Sequence, residues 1–304
     1  MRGAVLILTG QTGSGKSALA LALAERFDAE IVGADSRQIY RGMPIGTAAP
    51  DTDARARVQH HLVDFLDPHE RYSAARFAAD AMAAIDAAHA RGRRVVVAGG
   101  TGFYLRALTG ELTLSPAYDA ALRDRLAREA RLHPPDVLHG WLASLAPERA
   151  AAMAPNDPYR IARALEIALA GRGDARRDDL PPPQSLRSRG IAYRTLLLMV
   201  PSGLLETRIA ERVDAMLAAG LLEEAARVGG DAVAADAVGY REALAYLAGW
   251  STRAELRAHL IRNTRRYAKR QATWFRREPD LVEIGGEDAL ARAAALAGAL
   301  PGWA

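Results

Sequence analysis

Residues 4–27 read AVLILTGQTGSGKSALALALAERF: a short apolar run, a glycine-rich turn, then an alanine- and leucine-rich stretch of helical character. Gly10, Gly15, Lys16 and Ser17 meet the spacing G-x-x-x-x-G-K-S, with Gln11, Thr12, Gly13 and Ser14 filling the interval. In a strand, loop, helix context the glycines let backbone N–H groups curl around an anion, and the helix N-terminus adds a favourable dipole. Lys16 brings a positive charge and Ser17 can ligate magnesium. An ordinary glycine-rich turn would need neither flank, and both are present, so the stretch reads as a phosphate loop.

Outward from this loop, EIVGAD (30–35) and RRVVVAGG (93–100) are further short apolar runs bounded by glycine, and ARFAADAMAAIDAAHARG (75–92) is a helical run between them. Strands separated by helical crossovers imply an α/β fold: a P-loop NTPase-like parallel sheet flanked by helices. From about 114 to 170 strand patterns vanish, and AYDAALRDRLAREARL, DVLHGWLASL and DPYRIARALEIALAG all carry helical periodicity, as an inserted small helical domain would. GRGDARRDDLPPPQSLRSRG (171–190) reads as a loop or linker. YRTLLLMV (193–200) resumes the sheet, and LVEI (281–284) is one more strand candidate. The expected division is therefore 1–113 for the first part of the core, 114–190 for the insertion and linker, and 191–304 for the rest.

At 304 residues, half of them hydrophobic and with no long apolar span, the composition is that of a soluble globular chain. Forty Lys and Arg against 36 acids leave +4, which mildly favours a polyanionic partner. No cysteine is present, which rules out disulfides and thiolate-bound zinc. The N-terminal apolar run flows directly into the phosphate loop, so a cleavable signal would destroy the motif it abuts; a cytoplasmic protein, monomeric and with no membrane partner, is expected.

An enzyme built on such a loop normally places an acid at a neighbouring strand end. Here the run VVVAGG ends in Gly99, Gly100 and Thr101, and the acid follows the second strand instead, at Asp35. In a parallel sheet both positions face the ligand crevice. Asp35 can serve as a magnesium carboxylate, a helix cap or a general base, and position alone does not choose. Farther on, ELRAHLIRNTRRYAKRQATWFRR (255–277) places Leu260, Tyr267 and Trp274 on one side of a helix, with Arg262, Lys269 and Arg276 on the opposite side. Seven cations and no acid lie between Arg262 and Arg277, interleaved with aromatics. A solvated basic face is the ordinary reading of such a helix; the aromatics point to a nucleic-acid backbone and an unpaired base.

The motifs GQTGSGKS, DSRQIYRGMPIGTAAP, HHLVDFLDP, YSAARF, GGTGFYLRAL, PNDPYRIARALE, GYREALAYLAG and RRYAKRQATWFRR run in order over about residues 4–278. In that order the chain resembles the bacterial tRNA dimethylallyltransferases, also called tRNA isopentenyltransferases. It departs from them at Gln11 and Gly13, where the family usually has Pro and Ala, and at Ala49, where it has Lys. The resemblance implies that the loop holds the diphosphate of dimethylallyl diphosphate, and that the acceptor is N6 of adenine 37 in tRNAs reading codons that begin with U. It implies Asp35 as the base and Thr101 as a hydrogen-bonding group near the amine. Lys16, Ser17 through magnesium, the loop amides and Arg208 of ETRIAERV then stabilise the leaving diphosphate. Contacts with the tRNA anticodon stem-loop map onto Asp35, Ser36, Arg37 and Gln38, Thr101, Arg123, and Tyr159, Arg160, Ile161, Ala162 and Arg163. They continue at Gly239, Tyr240 and Arg241 and at Lys269, Arg270, Gln271, Thr273, Trp274 and Arg276, with the helical insertion gripping the anticodon arm.

His60, His61 and His69 with Asp64 and Asp67 fit no single helical or strand face, so loop hydrogen bonding accounts for them better than a metal site does. Two other functions are compatible with parts of the sequence. A phosphate-loop kinase of a small metabolite would leave the basic aromatic helix unexplained, and a non-catalytic RNA-binding nucleotide sensor would not need Asp35. Gamma-phosphate transfer from labelled ATP separates the first from prenyl transfer, and the effect of Asp35→Ala separates the second.

Overall fold

The computed structural model describes residues 3–112, 120–170 and 184–303. Among the described residues six strands form one sheet: β1 (Val5–Gly10), β2 (Ala29–Gly33), β3 (His60–His61), β4 (Arg94–Ala98), β5 (Tyr193–Met199) and β6 (Leu281–Gly285). Their order is β3-β2-β4-β1-β5-β6 and every pairing is parallel. β1 is central and buried along its whole length, which is why its sequence is a continuous apolar run and not an alternation.

The two-residue period of the strand sorts β1 between two cores. Leu6 and Leu8 point into one with Leu19 and Leu23 of α1 (Lys16–Arg26), while Val5 and Ile7 point into the other. The second core is closed by Phe77, Met82 and Ile85 of α4 (Ala74–Ala90) and by Tyr104 and Leu108 of α5 (Gly102–Thr109). Two short helices, α2 (Pro44–Thr47) and α3 (Thr52–Arg57), follow β2.

Between β5 and β6 the chain is helical: α10 (Ser202–Ala218), α11 (Leu221–Val228), a 3-10 turn at Val233–Asp236, α12 (Tyr240–Leu247) and α13 (Arg253–Phe275). A third core joins them to Ile39, Tyr40 and Met43 from the segment after β2. The inserted unit is described by itself: α6 (Ala120–Leu132), α7 (Pro135–Leu145), α8 (Pro147–Ala151) and α9 (Pro158–Ala170) pack around Leu126, Leu138, Leu142, Ile161 and Leu165.

The chain divides into Met1–Leu112 with Pro183–Ala304, and Thr113–Pro182. Residues 184–190, read from sequence as linker, pack instead on the sheet unit: Leu186 is fully buried and its N–H donates to Leu108 O at 2.8 Å. The linker reading over 171–183 and the helical reading over 117–119 lie outside the described residues. The alanine-rich tail, which carries no motif, proves to be core. In α14 (Ala289–Gly298) Ala293 and Ala297 join the first core, and Trp303, 1% exposed, donates from Nε1 to Ala4 O at 3.1 Å.

Replacing Trp303 with Ala should therefore lower the unfolding free energy by about 3–5 kcal/mol. The check is the urea midpoint at constant m-value; a loss below about 1 kcal/mol would show that the tail is not part of this core.

Candidate active site

The phosphate loop follows β1 directly. Gly13 and Gly15 adopt positive φ of 80° and 91°, which turns the chain so that the next N–H groups open α1. Ser17, exposed, is the second residue of that helix. Lys16 is mostly buried, and its Nζ donates to Gln11 O at 3.4 Å. Desolvation drives its pKa down to about 8, opposed by the charge of Asp35 and reinforced by Arg212.

The strand ends on either side complete the crevice. Asp35 follows β2 and accepts from its neighbour Arg37 N at 2.9 Å. Thr101 opens α5 after β4, and its Oγ1 accepts from Ser36 N at 3.0 Å, so the two loops are tied together. Thr9 donates to Gly99 O at 2.9 Å and links β1 to the same turn.

The helix α13 is bound to both loops. Gln271 Oε1 accepts from Thr12 N at 2.8 Å, and Gln271 Nε2 donates to Gly100 O at 3.0 Å. Gln11 Nε2 donates to Ala268 O at 3.1 Å. Gly100 and Gly102 cannot carry a side chain here, because a Cβ would collide with Gln271 Nε2 and Trp274 Nε1 respectively. The inner stripe of α13 is thus Leu256, Leu260, Ala268, Gln271 and Phe275, and Tyr267 and Trp274 sit at its margins, half-buried.

A cavity of about 250 Å³ lies between these parts, lined among others by Thr12, Asp35, Thr47, Arg212, Thr264 and Tyr267. Its far wall comes from Val213, Met216, Leu221 and Val238. On the other side of α13 a groove of about 690 Å³ is lined by Arg106, Arg266, Lys269, Arg270, Trp274 and Arg277. Arg106 lies over the Trp274 ring at 5.1 Å, and Arg270 over Tyr267 at 5.6 Å.

The residues singled out from sequence separate into groups. Lys16, Thr12, Asp35, Ser36, Arg37, Thr101, Gly239 and Arg241 gather around the loop and cavity. Arg208, on α10, donates to Ser14 O at 3.2 Å and so reaches the loop. Lys269, Arg270, Thr273 and Arg276 are exposed on α13.

Others are corrected. Gln271 is 5% exposed and both ends of its amide are spent inside the protein, so its side chain is a clamp and offers nothing to an outside partner. Tyr240 is fully buried, donating to Glu224 Oε1 at 2.5 Å, which also accepts from Gly46 N at 2.7 Å. Gln38 spends its amide N–H groups on Thr47 O and Ala48 O.

In the helical unit Ile161 is core, and Arg123 and Arg163 both pair with the buried Glu166, at 2.9 and 2.6 Å. Tyr159 and Arg160 are exposed. The histidines are engaged locally: His61 Nε2 lies 2.6 Å from Glu30 Oε2, and His60 Nδ1 lies 2.8 Å from Val58 O. Among the described residues no group of three or more His, Cys, Asp or Glu could hold a metal ion, and no helix is long and apolar enough to cross a membrane.

Sequence reading missed Arg212. It sits one helical turn beyond Arg208, is mostly buried and lines the cavity. Its charged form is disfavoured by burial and favoured by Asp35. The available signal was the i,i+4 repeat of arginine in ETRIAERV.

A parallel sheet with a phosphate loop on its central strand, and a cation-lined cavity at the strand ends, defines a P-loop α/β protein arranged to hold a polyphosphate. Comparison with known proteins narrows the class: residues 38–278 match the family model described as IPP transferase, and the chain belongs to that family. It is 47% identical over 278 residues to a tRNA dimethylallyltransferase of Anaeromyxobacter sp. (strain Fw109-5), covering 90% of this chain and 92% of the relative. Among solved structures it is similar to the full-length tRNA isopentenylpyrophosphate transferase of Bacillus halodurans, with TM-score 0.70, 32% identity and coverage of 97% and 96%. It is also similar to a eukaryotic dimethylallyltransferase crystallised acting on tRNA, with TM-score 0.75 and 25% identity, covering 97% of this chain and 78% of that one.

The state of Lys16 sets a pH limb for anion binding. Lys16 is charged below about 8 and loses its proton above it, whereas an alkyl diphosphate is already ionised there. Affinity for an alkyl diphosphate, measured by calorimetry, should fall as pH rises through about 8 in the native protein. It should be weaker and flat across that range in Lys16→Ala.

Proposed function

We propose that this protein transfers the dimethylallyl group of dimethylallyl diphosphate to N6 of adenine 37 in tRNAs that read codons beginning with U, releasing diphosphate. The observation that carries this reading is the double role of α13. Gln271 bonds the phosphate loop and the turn after β4, while the opposite side of the same helix exposes cations. An anion in the loop and a polyanion on the exposed cations would thereby meet the two sides of one helix, an arrangement a small-metabolite kinase has no use for.

The amine lone pair of adenine is delocalised into the ring and is a poor nucleophile, so its proton must leave as the carbon–nitrogen bond forms. Asp35, in the cavity beside Thr12, accepts that proton. Thr101, on the adjacent turn, holds the amine by a hydrogen bond. As the carbon–oxygen bond breaks, negative charge grows on the diphosphate, where Lys16, the loop N–H groups and Arg208 stabilise it. The adenine must leave its stack to reach this point.

The family relatives act with a diphosphate substrate, and the exposed Ser17 hydroxyl at the loop offers a hard oxygen donor of the kind magnesium takes together with phosphate oxygens. Magnesium held by Ser17 would supply charge neutralisation on the leaving diphosphate. RNA contacts fall to the exposed Lys269, Arg270, Thr273 and Arg276 with Trp274 at the groove, to Arg37 and Arg241 at the cavity, and to Tyr159 and Arg160 in the helical unit.

Purified protein given magnesium, dimethylallyl diphosphate and an unmodified anticodon stem-loop should add a five-carbon mass to the RNA. Asp35→Asn should lower that turnover by at least about 100-fold with RNA affinity and diphosphate affinity kept. Unchanged turnover would remove Asp35 from the base role. Absence of any mass gain in the native protein would overturn the reading.

RNA affinity should also weaken steeply with salt, and Lys269→Ala should flatten the slope of log affinity against log salt by about one. A salt-independent affinity would remove α13 from the interface.

A further inference from the structure

Phe103, in the first turn of α5, keeps 51% of its surface exposed, yet its ring is not isolated. Its centroid lies 5.5 Å from that of Trp274, with the two planes inclined at 46°. Three residues on, and so on the same side of α5, Arg106 holds its guanidinium 5.1 Å from the Trp274 ring. Trp274 thus lies against two side chains of one helix, and it comes this close because Gly102 has no Cβ to meet the indole Nε1. Glu278 pins the cation in turn, its Oε1 and Oε2 lying 2.8 and 3.0 Å from Arg106 Nε.

The row of Arg106, Trp274 and Phe103 links two places in the molecule. Arg106 and Trp274 line the groove together with Arg266, Lys269 and Arg270. Phe103 is two residues past Thr101, no more than about 7 Å of chain from the mouth of the crevice. A lone apolar side chain on a surface needs no explanation, but this one is seated on a tryptophan and flanked by cations. Extruding adenine 37 strips one face of a neighbouring base of its stacking partner, and any exposed aromatic ring offers that face a replacement. The cations of the groove hold the phosphates on either side, so charge and ring divide the nucleotide between them.

We infer that Phe103 stacks on the base next to the extruded adenine, extending the Arg106 and Trp274 row, and so holds the RNA loop in its opened form. This rests on the reaction proposed above for the identity of the RNA and adds a positioning residue to it. The ring touches neither the amine nor the diphosphate, so it contributes equally before and during the reaction. Its loss is therefore felt in KM for RNA and not in kcat.

The test is a double-mutant cycle between protein and RNA. Three anticodon stem-loops are compared: one intact, and two that carry an abasic site on one or the other side of adenine 37. Phe103→Ala should lower affinity for the intact stem-loop by about 5- to 100-fold. Removing the stacked base should cost the native protein a similar factor and cost Phe103→Ala almost nothing, whereas removing the base on the other side should cost both proteins alike. Phe103→Trp should keep the native affinity and Phe103→Leu should lose part of it.

Two further readouts separate stacking from charge and from scaffolding. The slope of log affinity against log salt should be the same in Phe103→Ala as in the native protein, because no phosphate contact is lost. In turnover, Phe103→Ala should raise KM for RNA with kcat within about twofold and with diphosphate affinity kept. A purely structural phenylalanine would lower the melting temperature and leave the losses additive at both abasic positions. Additive losses, or an unchanged affinity for the intact stem-loop, would overturn the assignment. Native protein that shows the coupling but adds no five-carbon mass would sink the proposed reaction and leave the stacking contact standing.

Discussion

One primary amide, that of Gln271, ties three parts of the site into a single body. Its oxygen accepts from the phosphate loop at Thr12, its nitrogen donates to Gly100 after β4, and its own backbone belongs to α13. Each bond is worth only about 1 kcal/mol in net stability, but a buried amide left without partners costs about 1–3 kcal/mol, so the seat of the helix is specified more by penalty than by gain. The glycines at 100 and 102 make that seat possible, because any side chain there would meet Gln271 or Trp274. Strand ends, loop and helix then stand or fall together.

From this seat follows the chemistry on each side. Inside, α13 closes a space whose walls come from α10, from the segment after β2 and from the loop itself. Outside, the same helix keeps its cations in solvent, where they cost little and remain available. The apolar packing of α10 on α13, through Leu205, Ile209 and Ala268, turns Arg208 and Arg212 toward the loop. The electrostatics of the site are therefore a consequence of a hydrophobic contact on the same side of the helix that carries them.

What was readable in the sequence is what depends on neighbours close in the chain. Continuous apolar runs mark β1, β2, β4 and β5 because strands covered on both faces need no polar alternation. The loop spacing is likewise local. Burial decided by distant segments was not readable. The heptad repeat of Leu260, Tyr267 and Trp274 suggested the inner stripe of α13, but the stripe runs through Ala268 and Gln271 because loops more than 150 residues away bring polar groups to meet them. A glutamine among basic residues looks like surface until the Thr12 N–H it satisfies is known. Tyr240 misleads in the same way, since its hydroxyl is answered by Glu224 and by the Met43 carbonyl. The alanine tail had no motif, because packing against α1 needs only small side chains and one tryptophan to close the end.

The charges of the cavity argue for a site held ready at a cost. Lys16 is driven to about 8 because burial outweighs its attraction to Asp35. Since the folded value lies below the unfolded one, the charged lysine destabilises the empty protein below about 8, and that cost fades as pH rises from there toward the unfolded value of 10.5. Folding alone would discard such an arrangement, for an apolar residue at position 16 would pack without that penalty. An anion reverses the balance: it repairs the desolvation of Lys16 and gives its charge a partner inside the site. The geometry thus fits an anion better than it fits emptiness, and better still one whose negative charge grows during reaction, since fixed cations gain most from charge that was not present when the ligand bound.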